Sequence, residues 1–167
     1  MNDIEKIIEL YNMKQHVEGG YSSLLFEDED LIPGCVLPDE FEGKDRPYWN
    51  GIYYLLSEKD RSVFHRIKMT ELWNFYLGDP LDIFQISPEG DFQQFTLGQN
   101  IFSSQKLTHV FPKGYWIGAK PTKGSTFSFV SCITSPGFYF DDWEKANRDN
   151  LLKICPQRSE IVKLLTD

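Results

Sequence analysis

The stretch FHRIKMTELWNFYLG, residues 64–78, decides how the rest of the chain is read. Its first half belongs to an alternating run, SVFHRIKM, and its second half, ELWNFYLG, continues to Gly78, Asp79 and Pro80. Apolar and polar residues alternate with a period of two, which is the pattern of strands and not of a helix. Successive strand side chains point to opposite faces, so His65 and Ile67 share one face. Glu71, Trp73, Phe75 and Leu77 share a face of the following strand. Gly78-Asp79-Pro80 reads as a hairpin connection.

The same texture extends from residue 48 to about residue 140. YWNGIYYLLS, DFQQFTLG, LTHVFPKGYWIGAKP and STFSFVSCITSPGF are short β-prone runs separated by Gly, Pro, Asp and Asn. Six or more such strands with turn signals every 8 to 12 residues predict a sandwich or barrel. No strand–helix alternation suggests a parallel sheet. Helical spacing occurs at the two ends. Ile4, Ile7, Ile8 and Tyr11 mark a helix over residues 3–12, with Asn2 or Asp3 as N-cap, and EGGY at 18–21 breaks it. DDWEKANRDNLLKIC and PQRSEIVKLL mark C-terminal helices. The reading is one domain over 1–167: an N-terminal helix and its exit over 1–20, an acidic loop over 27–47, a barrel over 48–140, and C-terminal helices over 141–167.

The charge is −8, and residues 27–45 alone hold eight acids and one lysine. That balance argues against a nucleic-acid partner, because phosphate binding needs clustered Lys and Arg. The acidic segment reads as a solvated loop, with a docking or cation-binding loop as the alternative. Cys35, Cys132 and Cys155 are too widely spaced for a zinc site or a disulfide framework. Cys132, on a β-run, reads as a core thiol. No apolar run reaches the roughly 18 residues of a membrane helix, and the N-terminal stretch is not a signal peptide. The expectation is a cytoplasmic protein that meets neither membrane nor nucleic acid.

With these residues in place, the chain resembles the cupin superfamily of jelly-roll barrels. His65 stands at the first His of that superfamily's first motif and Ile67 at the second, followed by Glu71 and Gly78. Pro112, Lys113 and Gly114 fit the second motif, with Ile117 where a His is expected. The resemblance is closer still to the single-domain cupins long catalogued as a family of unknown function, which are similar to the sugar 3,5-epimerases in fold. It rests on HVEGGY (16–21), FHR (64–66), ELWNFYLGDPL (71–81), TLG (96–98), VFPKGYW (110–116) and SPGFYFDDWEKANR (135–148). The chain departs from that family at Asn74, where a His is usual, and at Ser22 and Ser23, where an Arg is usual. The resemblance implies an all-β fold, a double-stranded β-helix (cupin jelly roll) with an N-terminal helix and C-terminal helices. It also implies a homodimer, with Tyr76 and Trp116 as outward aromatics that a partner or a helix covers.

In a barrel the shared faces point inward. The expected interior is therefore one imidazole, one carboxylate and many apolar or aromatic groups, the composition of a small-molecule site. Candidate catalytic residues are His65 and Glu71. Candidate ligand-binding residues are Glu18, Tyr21, Ile67, Trp73, Phe75, Tyr115 and Ile117. No cofactor is expected, because isoleucine occupies two of the four metal positions. A divalent metal recruiting His16 or His109 is the alternative. Three roles stay open for His65 and Glu71: polar groups in a binding pocket, a proton-transfer pair of an isomerase or lyase, or a buried pair that merely satisfies itself. Glu18 and Tyr21 either close the cavity or flank a plain glycine turn.

Overall fold

The computed structural model describes residues 2–167. The first helix, α1 (Asp3–Leu10), starts where the Asn2 side chain accepts a hydrogen bond from the Glu5 amide and the Glu5 carboxylate accepts one from the Asn2 amide. This reciprocal cap satisfies two of the otherwise orphaned amides of the first turn. Thirteen strands follow: β1 (Lys14–Gln15), β2 (Tyr21–Glu27), β3 (Leu31–Ile32), β4 (Arg46–Pro47), β5 (Asn50–Ser57), β6 (Ser62–Ile67), β7 (Thr70–Gly78), β8 (Leu81–Ile86), β9 (Phe92–Leu97), β10 (Thr108–Phe111), β11 (Trp116–Pro121), β12 (Phe127–Ser135) and β13 (Trp143–Lys145). Helices α2 (Arg148–Ile154) and α3 (Ser159–Leu164) close the chain.

The strands form a six-stranded sheet in the order β1-β2-β5-β12-β7-β10 and a five-stranded sheet in the order β13-β6-β11-β8-β9, with every pairing in them antiparallel. Their inner faces interdigitate over a core that includes Trp73, Phe75 and Val130 from the larger sheet and Leu81, Ile83 and Ile117 from the smaller. This is the expected jelly roll. Helix α1 lays Ile4, Ile7 and Ile8 on the outer face of the larger sheet, against Leu55, Phe127 and Phe129. Helices α2 and α3 cover the outer face of the smaller sheet through Leu151 and Val162, against Phe64, Phe84 and Trp116. The cover for Trp116 is thus within the chain, and Trp116 is buried.

Several boundaries differ from the sequence reading. The barrel begins at Tyr21, not at residue 48, because β2 pairs along β5. Residues 143–145 are not helical: β13 pairs along β6, and α2 starts only after Asn147, whose side chain caps it. Gly78-Asp79-Pro80 is not a hairpin, since β7 and β8 lie in opposite sheets. Asp79 pins this crossing by accepting from the Thr126 amide at 2.6 Å and donating its own amide to the Phe127 carbonyl at 2.7 Å. Gly78 has φ +95°, and a Cβ there would stand 2.4 Å from the Phe127 oxygen. Leu77 is exposed, not interior, because the β7–β12 register shifts between Phe129 and Val130 and the alternation resets there.

The acidic segment is tied to the barrel. Arg46, fully buried, donates twice to Asp142 at 2.7 Å, a bidentate pair that ideal guanidinium geometry favours. Lys44 donates to Asp141 at 2.8 Å. No described helix is long and apolar enough to cross a membrane.

Candidate functional site

The loop of the β1–β2 hairpin, HVEGG, folds into one end of the barrel. Gly19 takes φ +113°, with the space of a Cβ filled by the Arg61 carbonyl at 2.0 Å, so only glycine lets this loop lie against β6. The Glu18 carbonyl accepts from the Val63 amide, and the Gly19 carbonyl accepts from the Tyr54 hydroxyl at 2.9 Å. Both contacts drive the Glu18 side chain inward. There it accepts from Ser62 Oγ at 3.0 Å and from Trp143 Nε1 at 2.9 Å. Its Oε1 also lies 3.3 Å from His65 Nε2.

His65 is therefore held by Glu18, not by Glu71. Its Nδ1 lies 2.8 Å from the Val63 carbonyl. A carbonyl only accepts, so the proton on Nδ1 is fixed there. Nε2 then faces the Glu18 carboxylate at 3.3 Å. The self-satisfied His65–Glu71 pair of the sequence reading does not form, because the EGG turn brings a nearer carboxylate to the imidazole.

Glu71 is left without a partner. It is only 8% exposed, and its Oε2 makes no hydrogen bond. Burial pushes its pKa up to about 7; the nearby His65 pulls it down, and Glu18 pushes it up. Trp73, two residues along the same face, has an indole N–H that also lacks a hydrogen-bond partner. That N–H lies near enough to Glu71 to lower its pKa slightly, without the geometry of a hydrogen bond. Two buried polar atoms, one carboxylate oxygen and one N–H donor, thus face one cavity and are satisfied by nothing in the protein. Unpartnered buried polar groups are rare and costly.

The cavity measures about 290 Å³, the small end of the range of ligand sites. Tyr54, Cys132 and Thr134 line it from the larger sheet, and His65 and Ile67 from the smaller. Leu24 and Phe140, 65% and 59% exposed, mark its mouth. Asn50 props the mouth by accepting from the Phe138 amide at 2.8 Å and donating to the Phe138 carbonyl at 2.9 Å.

Of the sequence candidates, the structure brings Glu18, His65, Ile67, Glu71 and Trp73 to this cavity. The other four lie elsewhere. Tyr21 lies on the outer face of β2, under α1, while its neighbour Ser22 faces in. Phe75 and Ile117 belong to the closed core beyond the cavity. Tyr115 precedes β11, in the turn where the Tyr115 amide donates to the Pro112 carbonyl. His16 lines the cavity, and burial lowers its pKa, with Glu18 raising it in opposition. His109 lies outside it, with Nε2 3.0 Å from Gln85 Oε1 and its ring against Phe95 and Phe111. Sequence reasoning missed Trp143, Ser62 and the mouth residues. Trp143 and Phe140 fall inside the SPGFYFDDWEKANR motif, and that was the available signal.

A metal of the superfamily type does not fit these residues. Ile67 and Ile117 offer no donor, and Glu18 already engages the Nε2 of His65. Among the described residues, no three His, Cys, Asp or Glu are grouped to hold an ion.

A double-stranded β-helix with a cavity between its two sheets is the architecture of cupins. The chain belongs to the family described as Cupin superfamily (DUF985), whose model matches residues 5–146. Among solved structures it is similar to a protein of Shewanella oneidensis at 33% identity and TM-score 0.86, covering 100% of this chain and 99% of that one. A hypothetical protein from Leishmania major is similar at 26% identity and TM-score 0.87, covering 99% of each chain. A dTDP sugar isomerase from Desulfovibrio desulfuricans shares the fold at 17% identity and TM-score 0.52, over 77% of this chain and 85% of that one. No curated protein matches.

Proposed function

We propose that this cupin binds a small, ring-sized metabolite in the cavity between Glu71 and the aromatic mouth. The observation that carries this reading is the pair of unsatisfied buried atoms, Glu71 Oε2 and Trp73 Nε1, facing a mostly apolar cavity. A ligand with one group for the carboxylate and one acceptor for the indole N–H would remove both penalties. The fold shared with a dTDP sugar isomerase makes a sugar derivative a natural candidate class. Native mass spectrometry of tag-free protein, purified without chelator, tests the reading. A retained small organic mass is expected. Bare protein that also fails to bind every small molecule offered would sink it.

A second reading is favoured by one specific feature. A carboxyl with a pKa of about 7 can take and return a proton at neutral pH. Glu71 would then be the acid–base group of a metal-independent isomerase, epimerase or lyase, with the Glu18-held His65 setting its charge environment. In deuterated water with the retained metabolite, Glu71→Gln should abolish solvent-deuterium incorporation yet only weaken binding. Incorporation unaffected by the variant would leave the cavity a binding site alone.

A homodimer belongs to the same proposal. Its support is β10, which forms an edge of the larger sheet and carries the exposed Val110, with Leu107 exposed just before it. A cytoplasmic setting suits the three free cysteines.

A further inference from the structure

Three glutamates and five aromatic rings border the cavity, and among the described residues no lysine or arginine does. The two imidazoles at the cavity add little free positive charge. His16 is held below the usual imidazole range by burial, and His65 is engaged at both nitrogens. Glu18 is spent on its own three partners. Glu27, at the mouth, accepts from Asn50 at 3.2 Å. That leaves Glu71, buried and unpartnered, as the group a ligand meets first inside. Tyr139 and Phe140, 40% and 59% exposed, stand at the mouth. Carboxylates and aromatic rings together attract cations, and an anion entering here would lose its hydration with no counter-charge to replace it.

Resting on the small-molecule reading above, we infer that the cavity selects a small organic cation, a ring-sized amine whose ammonium meets Glu71 and whose acceptor meets Trp73 Nε1. An amino sugar has this chemistry. Phosphorylated and nucleotide-linked compounds add anionic groups, for which the cavity holds no lysine or arginine among the described residues.

Amine binding at Glu71 depends on pH. The groups facing Glu71 are His65 on β6, Glu18 in the hairpin loop, Cys132 on β12 and Trp73 on its own strand. In the free protein Glu71 ionises near pH 7. An ammonium beside it favours the ionised form, so binding strengthens above pH 7 and expels a proton below it.

Three probes of one shape separate the outcomes: benzylamine, benzyl alcohol and benzoate, titrated calorimetrically into the whole chain at pH 6 and pH 8. Benzylamine keeps its charge throughout. It is expected to bind tightest, about tenfold more weakly at pH 6 than at pH 8, as the ionised fraction of Glu71 falls. Benzyl alcohol should be insensitive to pH, and benzoate weakest of the three. Glu71→Gln should remove the advantage of the amine while leaving alcohol binding. Should that variant misfold, the pH comparison on the native chain still decides. Benzoate binding as well as the amine, or an amine preference indifferent to pH, overturns the charge selection and leaves the small-molecule site intact. None of the three binding at roughly 10 mM, the scale of the weakest specific contacts, overturns the site itself.

Discussion

Glu71 carries a stability consequence that can be measured without any ligand. The unfolded chain releases this proton near the ordinary glutamate value of 4.5, whereas the folded chain holds it to about 7. Between those values the folded state binds more protons, so its stability falls as pH rises from 4.5 to 7 and stays low above. At about 1.4 kcal/mol per pH unit, the penalty reaches about 3 kcal/mol. Glu71→Gln removes the charge and keeps the shape. It is expected to raise the urea midpoint clearly at pH 8 and hardly at all at pH 4.5. A variant no more stable than the native chain at pH 8 would show that Glu71 finds a partner the geometry does not contain. Destabilisation at the position proposed to meet a ligand fits the usual trade between a ready site and a stable one. Glu18 shows the opposite arrangement, a buried carboxylate with Ser62 and His65 of β6 and Trp143 of β13 all around it.

Among the elements, the sheet-to-sheet crossing at Gly78 depends on two separable conditions. Gly78→Ala meets both the positive φ and the Phe127 oxygen at 2.4 Å, and is expected to cost about 2–4 kcal/mol. Gly114→Ala has a similar φ of +77° with nothing within 4 Å, and should cost only about 1 kcal/mol. Equal losses in chemical denaturation would mean that the close approach contributes nothing. The longer strands around this crossing, β5 to β8 and β12, were legible because their alternation is regular and long. Strand β2 was not, because Ser22 and Ser23 dilute its pattern and acids follow it. Strand β13 is three residues within a polar stretch whose spacing also suits a helix, and only its pairing with β6 makes it a strand. The site was half legible for a related reason. His65 and Glu71 fall at motif positions within one stretch, so their nearness could be read. The partners of Glu18 lie 44 and 125 residues away, a proximity no local pattern encodes. Tyr21 was misplaced because, with β2 unrecognised, nothing indicated which face it occupied.

For the whole molecule, the proposed dimer predicts a solution mass near twice 19.5 kDa by light scattering at low micromolar concentration. A mass of 19.5 kDa would overturn the dimer and leave β10 an edge strand of the monomer. The barrel also has an order of assembly written into it. Glu18 belongs to the segment made before the main strands, whereas Trp143 and the Arg46 partner Asp142 come after them. A ribosome releasing the chain from its N-terminus can let most of the sandwich collapse while the Glu18 carboxylate still lacks its indole donor and the cavity mouth still lacks its anchor. If the cavity binds as proposed, its Glu18 corner forms last, and a nascent chain stopped before residue 142 is expected to own most of the barrel while Glu18 lacks its indole donor.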